Sequence, residues 1–334
     1  MKLKPIVGIT LGDPSGIGPE VAIKAATLNE VRRFCVPLLI GSPVLATQEI
    51  KSLRLRRPAI PISPTANPKA LIPVGRPSAE AGKQALEAIR AGVRLWEEGK
   101  IEALVTAPVS KESLRLAGCP YPGHTELLAH LTKTRKFAMM FLAPAPRASH
   151  AGGLAKGKTY SLRVVLATIH VPYRQVLKLL TPELIWEKAL LAEGALKKYF
   201  KIAKPRIALL GLNPHAGEEG QFGWEEKRVL APVVKALQRK GLAISGPHAA
   251  DALFSYHNRE KYDAVFALYH DQGLIPVKAL ASRRCVNLTL GLPLVRTSPG
   301  HGTAYDIAGQ GIADPSSTVA AIALACEILR NKKA

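Results

Sequence analysis

Cysteine is scarce. Four occur in 334 residues, at Cys35, Cys119, Cys285 and Cys326, and none forms a CxxC pair. That spacing excludes a disulfide-stapled scaffold and a thiolate metal centre. No apolar run is long enough to cross a bilayer. The N-terminal run in MKLKPIVGITLGDPSG is broken at Gly12, Asp13 and Pro14, too early for a signal-peptide core. A soluble, cytoplasmic protein with no membrane partner is expected. Acidic residues are also few, 25 against 46 Lys and Arg, for a formal charge of +21. The basic residues are spread along the chain in short clusters such as RLRR at 54–57, without an aromatic-rich basic motif beside them. That pattern reads as a solvated basic surface rather than a nucleic-acid site, although its field attracts anionic substrates.

Aliphatic sequence is abundant. Hydrophobic residues make up 47% of the chain with only 5% aromatics, which excludes a disordered protein. Strand-like and helix-like segments alternate. KPIVGIT precedes GPEVAIKAATL, VPLLIG precedes PVLATQEIKSL, and the long amphipathic SAEAGKQALEAIRAGVRLWEEGK precedes IEALVTAP. Further on, TPELIWEKALLAEGALKKYF leads into RIALLGL, and EEKRVLAPVVKALQRKG into another short strand, before the closing helix STVAAIALACEILRNK. Such alternation predicts an α/β fold with a largely parallel sheet, and sites beyond the carboxyl ends of its strands. One irregular loop is expected at 143–158. It contains GGLAKGKT (152–159), which matches the phosphate-loop pattern. A Pro-rich segment precedes it and a strand pattern follows, so the helix that would hold phosphates is missing and a nucleotide hydrolase is set aside.

Three apolar runs each deliver a histidine to a loop: VVLATIH to His170, IALLGLNPH to His215 and AVFALYH to His270. A lone histidine at a strand end is usually structural. Three with one placement make a candidate divalent-metal site if adjacent strand ends, in one sheet or one dimer, bring them together. A second set, Lys278, Asn287 and Arg296, sits beside strongly apolar residues that read as strands. His124 and Thr125 open a helix-like run, where free amides also favour an anion. Two anion-binding sets imply a phosphate, a carboxylate or both. A third stretch, SPGHGTAYDIAGQGIADPSS, is Gly-rich with the acid Asp306, yet neither it nor GDPSGIGPE fits the GxGxxG turn. The residues by themselves lead to a metal-dependent enzyme acting on a small anionic substrate.

Taken together, GDPSGIGPE, TAPVSKESL, YPGHTELLA, LNPHAGEEGQFG, YHDQGLIPVK and VNLTLGLPLVRTSPGHGTAYDIAGQG resemble the 4-hydroxythreonine-4-phosphate dehydrogenase family. The resemblance implies a homodimer with two α/β/α domains per chain, isocitrate/isopropylmalate dehydrogenase-like, with the active site in the interdomain cleft and near the dimer interface. The domains are expected at 1–125 plus 286–334, and at 126–285. The implied ligands of one divalent ion are His170, His215 and His270, with zinc favoured over cobalt, magnesium or manganese. The implied substrate-binding set is His124, Thr125, Lys278, Asn287 and Arg296. By analogy with the wider β-decarboxylating dehydrogenases, His301 would lie near adenine and Asp306 on the ribose, where a carboxylate selects NAD over NADP. The implied reaction oxidises C3 of 4-phosphohydroxy-L-threonine and releases CO₂ to give 3-amino-2-oxopropyl phosphate, in pyridoxal phosphate biosynthesis. Lys278 or Asp251 would carry the proton. The alternatives are a sister dehydrogenase of 4-phospho-D-threonate or 4-phospho-D-erythronate, and a non-redox metal hydrolase. The family pattern is departed from at Ala249 and Ala252, which replace the usual Pro and Thr around Asp251, and in a longer connection between Phe141 and Tyr160.

Overall fold

Runs that are apolar almost throughout become strands, as expected of a sheet covered on both faces. A computed structural model describes residues 4–55, 60–144 and 160–333. The GGLAKGKT tract, and the expected loop from residue 145 onward, lie outside them. In chain order the strands are β1 (Ile6–Thr10), β2 (Val36–Gly41), β3 (Ile62–Pro64), β4 (Ala103–Thr106), β5 (Ala138–Pro144), β6 (Tyr160–Leu166), β7 (Ile207–Leu210), β8 (Ile244–His248), β9 (Ala264–Ala267), β10 (Val286–Leu290) and β11 (Val295–Pro299).

The backbone divides into two units, Met1–Arg135 with Leu292–Ala334, and Lys136–Gly291. The expected boundaries fell earlier, at 125/126 and 285/286. Both differences have a packing cause. The helix His124–Leu131 packs against the helix Ala79–Glu97 and so stays with the first unit. Strand β10 pairs with β5 and so stays with the second.

In the first unit the strand order is β3-β2-β1-β4-β11, every pair parallel. The long helix Ala79–Glu97 starts at Ser78, whose hydroxyl accepts from the Ala81 amide at 3.2 Å, and buries Ala81, Ala85, Ala88 and Ile89 along one face. Gly82 lies on that face, against the Ser113 carbonyl. Any side chain there would push away the short helix Lys111–Leu116. The closing helix Ser316–Lys333 packs on β11 and β4 and buries Ala321, Ile322, Ala325 and Leu329.

In the second unit the order is β10-β5-β6-β9-β7-β8. The β6–β9–β7–β8 part is parallel, but β10–β5 and β5–β6 are antiparallel, a mixture that the alternating pattern did not announce. The core here joins Phe141, Val164, Leu166, Val265, Leu274 and Val277. One sequence expectation is corrected at Lys278. The apolar run around it is not a strand but part of the helix His270–Ala281, which turns Gly273, Leu274 and Val277 inward and leaves Lys278 exposed. Pro276 lies inside that helix. An internal proline argues against a helix locally, and the buried face overrides it. Among the described residues no helix is long and apolar enough to cross a membrane.

Candidate functional site

In the first unit the site grows from the end of β4. Thr106 closes that strand, and Ser110 caps the following helix by accepting from the Ser113 amide at 3.2 Å, so Lys111 stands in the first turn. Arg296 lies on β11 opposite Leu104 of β4 and is 1% exposed, the largest fully buried side chain described. Its Nη2 and Nε donate to Thr106 Oγ1 at 2.6 and 3.1 Å, and its Nη1 donates to Thr125 Oγ1 at 3.5 Å. Burial pushes its pKa down to about 10, with Glu126 opposing, so it remains a cation at neutral pH. Burial also lowers the pKa of Lys111, again with Glu126 opposing.

His124 opens the helix His124–Leu131 behind Gly123. Its Nε2 is shut off from water and has no hydrogen-bond partner. Burial, then Arg296, then Lys111 push its pKa down to about 3, so the ring is neutral at physiological pH. A neutral imidazole can donate to an anionic oxygen while Arg296 and Lys111 supply the charge. Of the predicted substrate set, the structure brings His124, Thr125 and Arg296 together. Asn287 lies on β10 in the second unit, 8% exposed, with its Oδ1 buried and unpartnered.

The low pKa of His124 has a testable sign. The unfolded chain takes up a proton near pH 6.5 that the folded chain refuses until about pH 3. The neutral-ring contribution is therefore intact above pH 6.5 and lost as pH falls below it, with a ceiling of about 1.4 kcal/mol per pH unit for one proton. Urea unfolding of the ligand-free protein between pH 7.5 and 5 should give a shallower pH slope for His124→Gln than for wild type.

The Gly-rich stretch after β11 is tied down by two buried acids that sequence reasoning did not select. Asp13 is fully buried. Its Oδ1 accepts from the Ser15 amide at 2.8 Å, and its Oδ2 accepts from the Tyr305 hydroxyl at 3.0 Å and the Ser110 amide at 3.3 Å. Glu20, 2% exposed, accepts from the Ala313 amide at 2.8 Å and from Lys24 Nζ at 2.6 Å, and Lys24 also donates to the Gly311 and Ala313 carbonyls. Asp306 stands exposed on the short turn Tyr305–Ile307, while His301 is half-buried. The available signal was an acid between Gly12 and Pro14 with Ser15 two residues on, an Asx-turn pattern.

In the second unit β6, β9 and β7 are neighbours, and each of the three predicted histidines lies just beyond one of their carboxyl ends. The rings of His170 and His270 are 5.7 Å apart between centroids and line a pocket of about 300 Å³ with Val171, Tyr173, Tyr269 and Asp271. Two imidazoles on one tetrahedral ion, with metal–nitrogen bonds near 2.0–2.1 Å, have centroids about 5 Å apart. The pair therefore fits a divalent cation. Asp271 Oδ1 is 2.7 Å from His270 Nδ1, so a carboxylate there accepts from Nδ1–H and leaves Nε2 the nitrogen able to ligate. His215 lies instead beside Phe222, with centroids 6.2 Å apart, and among the described residues no three His, Cys, Asp or Glu side chains converge as a metal-holding group. Asp251 and Lys278 are exposed on this unit.

His215 stands in an unusual turn. His215, Ala216, Gly217, Glu218 and Glu219 all have positive φ, from 39° to 85°. Left-handed backbone costs non-glycine residues roughly 1–2 kcal/mol each, so a tertiary contact must enforce the run.

Both units are α/β, an architecture found in enzymes of more than one activity. An isocitrate dehydrogenase from Methylococcus capsulatus shares the fold at 14% identity, with a TM-score of 0.51 over 98% of this chain and 87% of that one. The family is shown by closer relatives. The family model described as "Pyridoxal phosphate biosynthetic protein PdxA" matches residues 27–325, and the chain belongs to that family. A 4-hydroxythreonine-4-phosphate dehydrogenase of Caulobacter vibrioides is 44% identical over 341 residues, covering 98% of each chain. The crystal structure of the Klebsiella pneumoniae 4-hydroxythreonine-4-phosphate dehydrogenase is 37% identical with a TM-score of 0.81, over 98% of this chain and 99% of that one.

Proposed function

We propose that the chain is an oxidoreductase that oxidises C3 of 4-phosphohydroxy-L-threonine with NAD, with loss of CO₂ to give 3-amino-2-oxopropyl phosphate, in pyridoxal phosphate biosynthesis. The observation that carries this reading is the buried Arg296 beside the neutral His124. A small substrate with a dianionic phosphate supplies the charge that such a shell is built to receive, and relatives bearing the dehydrogenase name match the chain over its full length.

Arg296 and Lys111 would hold the phosphate, with His124 and Thr125 donating to it. Asn287 would offer its buried carboxamide and Lys278 its ammonium to the rest of the substrate. Asp306 would take the ribose hydroxyls and His301 the adenine. His170 and His270, joined by His215, would hold the divalent ion, zinc by ligand type. When bound, that ion would supply Lewis-acid polarisation of a substrate oxygen, and the nicotinamide would accept hydride. Lys278 Nζ or an Asp251 carboxylate oxygen would carry the proton to C2 after the carboxylate leaves. A homodimer with its interface near this site is supported by Tyr173, Leu177 and Ile275, exposed at 65%, 54% and 67% on the helices that follow His170 and His270.

The test is NADH formation from 4-phosphohydroxy-L-threonine and from 4-phospho-D-threonate in parallel, each with and without a chelator. Turnover of the amino acid that stops with chelator is the expected result. Turnover of the threonate alone would move the protein to a sister activity, and no NADH from either would sink the substrate assignment.

A further inference from the structure

The left-handed turn carrying His215 is held from outside chiefly by the carboxylate of Glu226. Glu226 is 4% exposed and opens the π-helical turn Glu226–Leu230. Its Oε1 accepts from the Leu212 and Asn213 amides, both at 2.8 Å, just after β7 has ended and its ladder offers those amides nothing. Its Oε2 accepts from Asn213 Nδ2 at 3.0 Å, and Glu225 Oε2 accepts from the same amide group at 2.8 Å. Glycines make room for it. A Cβ on Gly217 would lie 2.8 Å from Glu226 Oε2, and one on Gly211 would lie 3.3 Å from Oε1. Lys227 then donates to the Glu219 carbonyl at 2.6 Å and closes the far end of the turn.

We propose that Glu226 is a positioning residue for the metal site, fixing the backbone on either side of Pro214 so that His215 is presented from a left-handed turn. The inference rests on the reading of His215 as a metal ligand. Local forces account for only part of this backbone. Gly217 favours positive φ, His215 tolerates it, and short turn bonds such as Ala216 N to the Asn213 carbonyl at 3.1 Å help, but Ala216, Glu218 and Glu219 have no such preference. The carboxylate takes both amides that lead into the turn, and so sets where the turn starts and in which direction His215 leaves the sheet. A π turn widens the helix by one residue, and here it lets two successive acids reach Asn213.

The test is a Co²⁺ titration of the full-length protein after chelator treatment, read in the visible absorption that reports nitrogen ligation, for wild type, Glu226→Ala and Glu226→Gln. Circular dichroism of each variant controls for folding. Glu226→Ala is expected to bind Co²⁺ about 10- to 100-fold more weakly, the range for losing an outer-shell support. Glu226→Gln keeps an oxygen for the two backbone amides and loses the bond to Asn213 Nδ2, so it should fall between the other two. A role in stability alone would lower the unfolding temperature without changing Co²⁺ affinity. If Glu226→Ala does not fold, the Gln variant decides. Wild-type Co²⁺ affinity in every folded variant overturns the proposal. A wild type with no nitrogen-ligated Co²⁺ band overturns the metal reading itself.

Discussion

Replacing Arg296 with Ala should raise KM for the phosphorylated substrate steeply and leave a folded protein. Arg296 is 1% exposed, anchored on Thr106 and Thr125, and still cationic at neutral pH. Removing one partner of a buried charged interaction costs about 3–5 kcal/mol, or roughly 10²- to several times 10³-fold in kcat/KM. The loss should fall mainly on KM, because a phosphate remote from C3 is held equally in ground and transition states. Folding should survive, since the variant also removes the desolvation of a buried guanidinium, and Thr106 and Thr125 can use their hydroxyls as donors elsewhere. Arg296→Lys keeps the charge but loses the planar fork, so it should recover part of the affinity. Steady-state kinetics with the substrate, and competition by inorganic phosphate, read both variants. An unchanged KM in folded Arg296→Ala would remove the anion from this shell.

His270→Ala should cut turnover steeply, by about 10²- to 10³-fold, the range for losing an electrophilic stabiliser. It should also remove most Co²⁺ binding. The ring of His270 is paired with that of His170 at 5.7 Å, and its Nδ1 is engaged by Asp271 at 2.7 Å. Asp271→Ala leaves the ligand in place and should weaken metal affinity by about 10- to 100-fold, which separates ligand from support. The two readouts are independent. Co²⁺ binding retained by a folded His270→Ala would show that the ion sits elsewhere, whatever happens to activity.

Much of this arrangement could be read in advance, for a simple reason. Runs such as IALL and AVFA are buried on both faces, so their apolarity is continuous and the polar residues that follow mark the sheet edge. That is why three histidines could be placed at strand ends without a structure. Arg296 was legible as a cation among apolar residues, and His124 as the opening of a helix-like run. Other features were not local properties and so left no local trace. The Pro276 helix exists because Gly273, Leu274 and Val277 are buried, against the grain of its own sequence. The left-handed turn at His215 depends on Glu226, eleven residues away, and on a π turn that no periodicity announces. Lys111, Asp13 and Tyr305 matter through their partners. Asp13 and Tyr305 meet across 292 positions, beyond the reach of any spacing rule.

The split of the first unit between the two ends of the chain has a consequence for synthesis. Everything from Lys136 to Gly291 is one continuous segment, so His170, His215 and His270 all leave the ribosome with the rest of their unit. Arg296 does not. It must return to Thr106 over 190 positions, and the loop between them is an entire domain. The half of the molecule that would grip a metal can therefore be finished while the half that would grip an anion still lacks its guanidinium. On the proposed reading, a nascent chain would have the histidines for the ion before it has the guanidinium for the substrate.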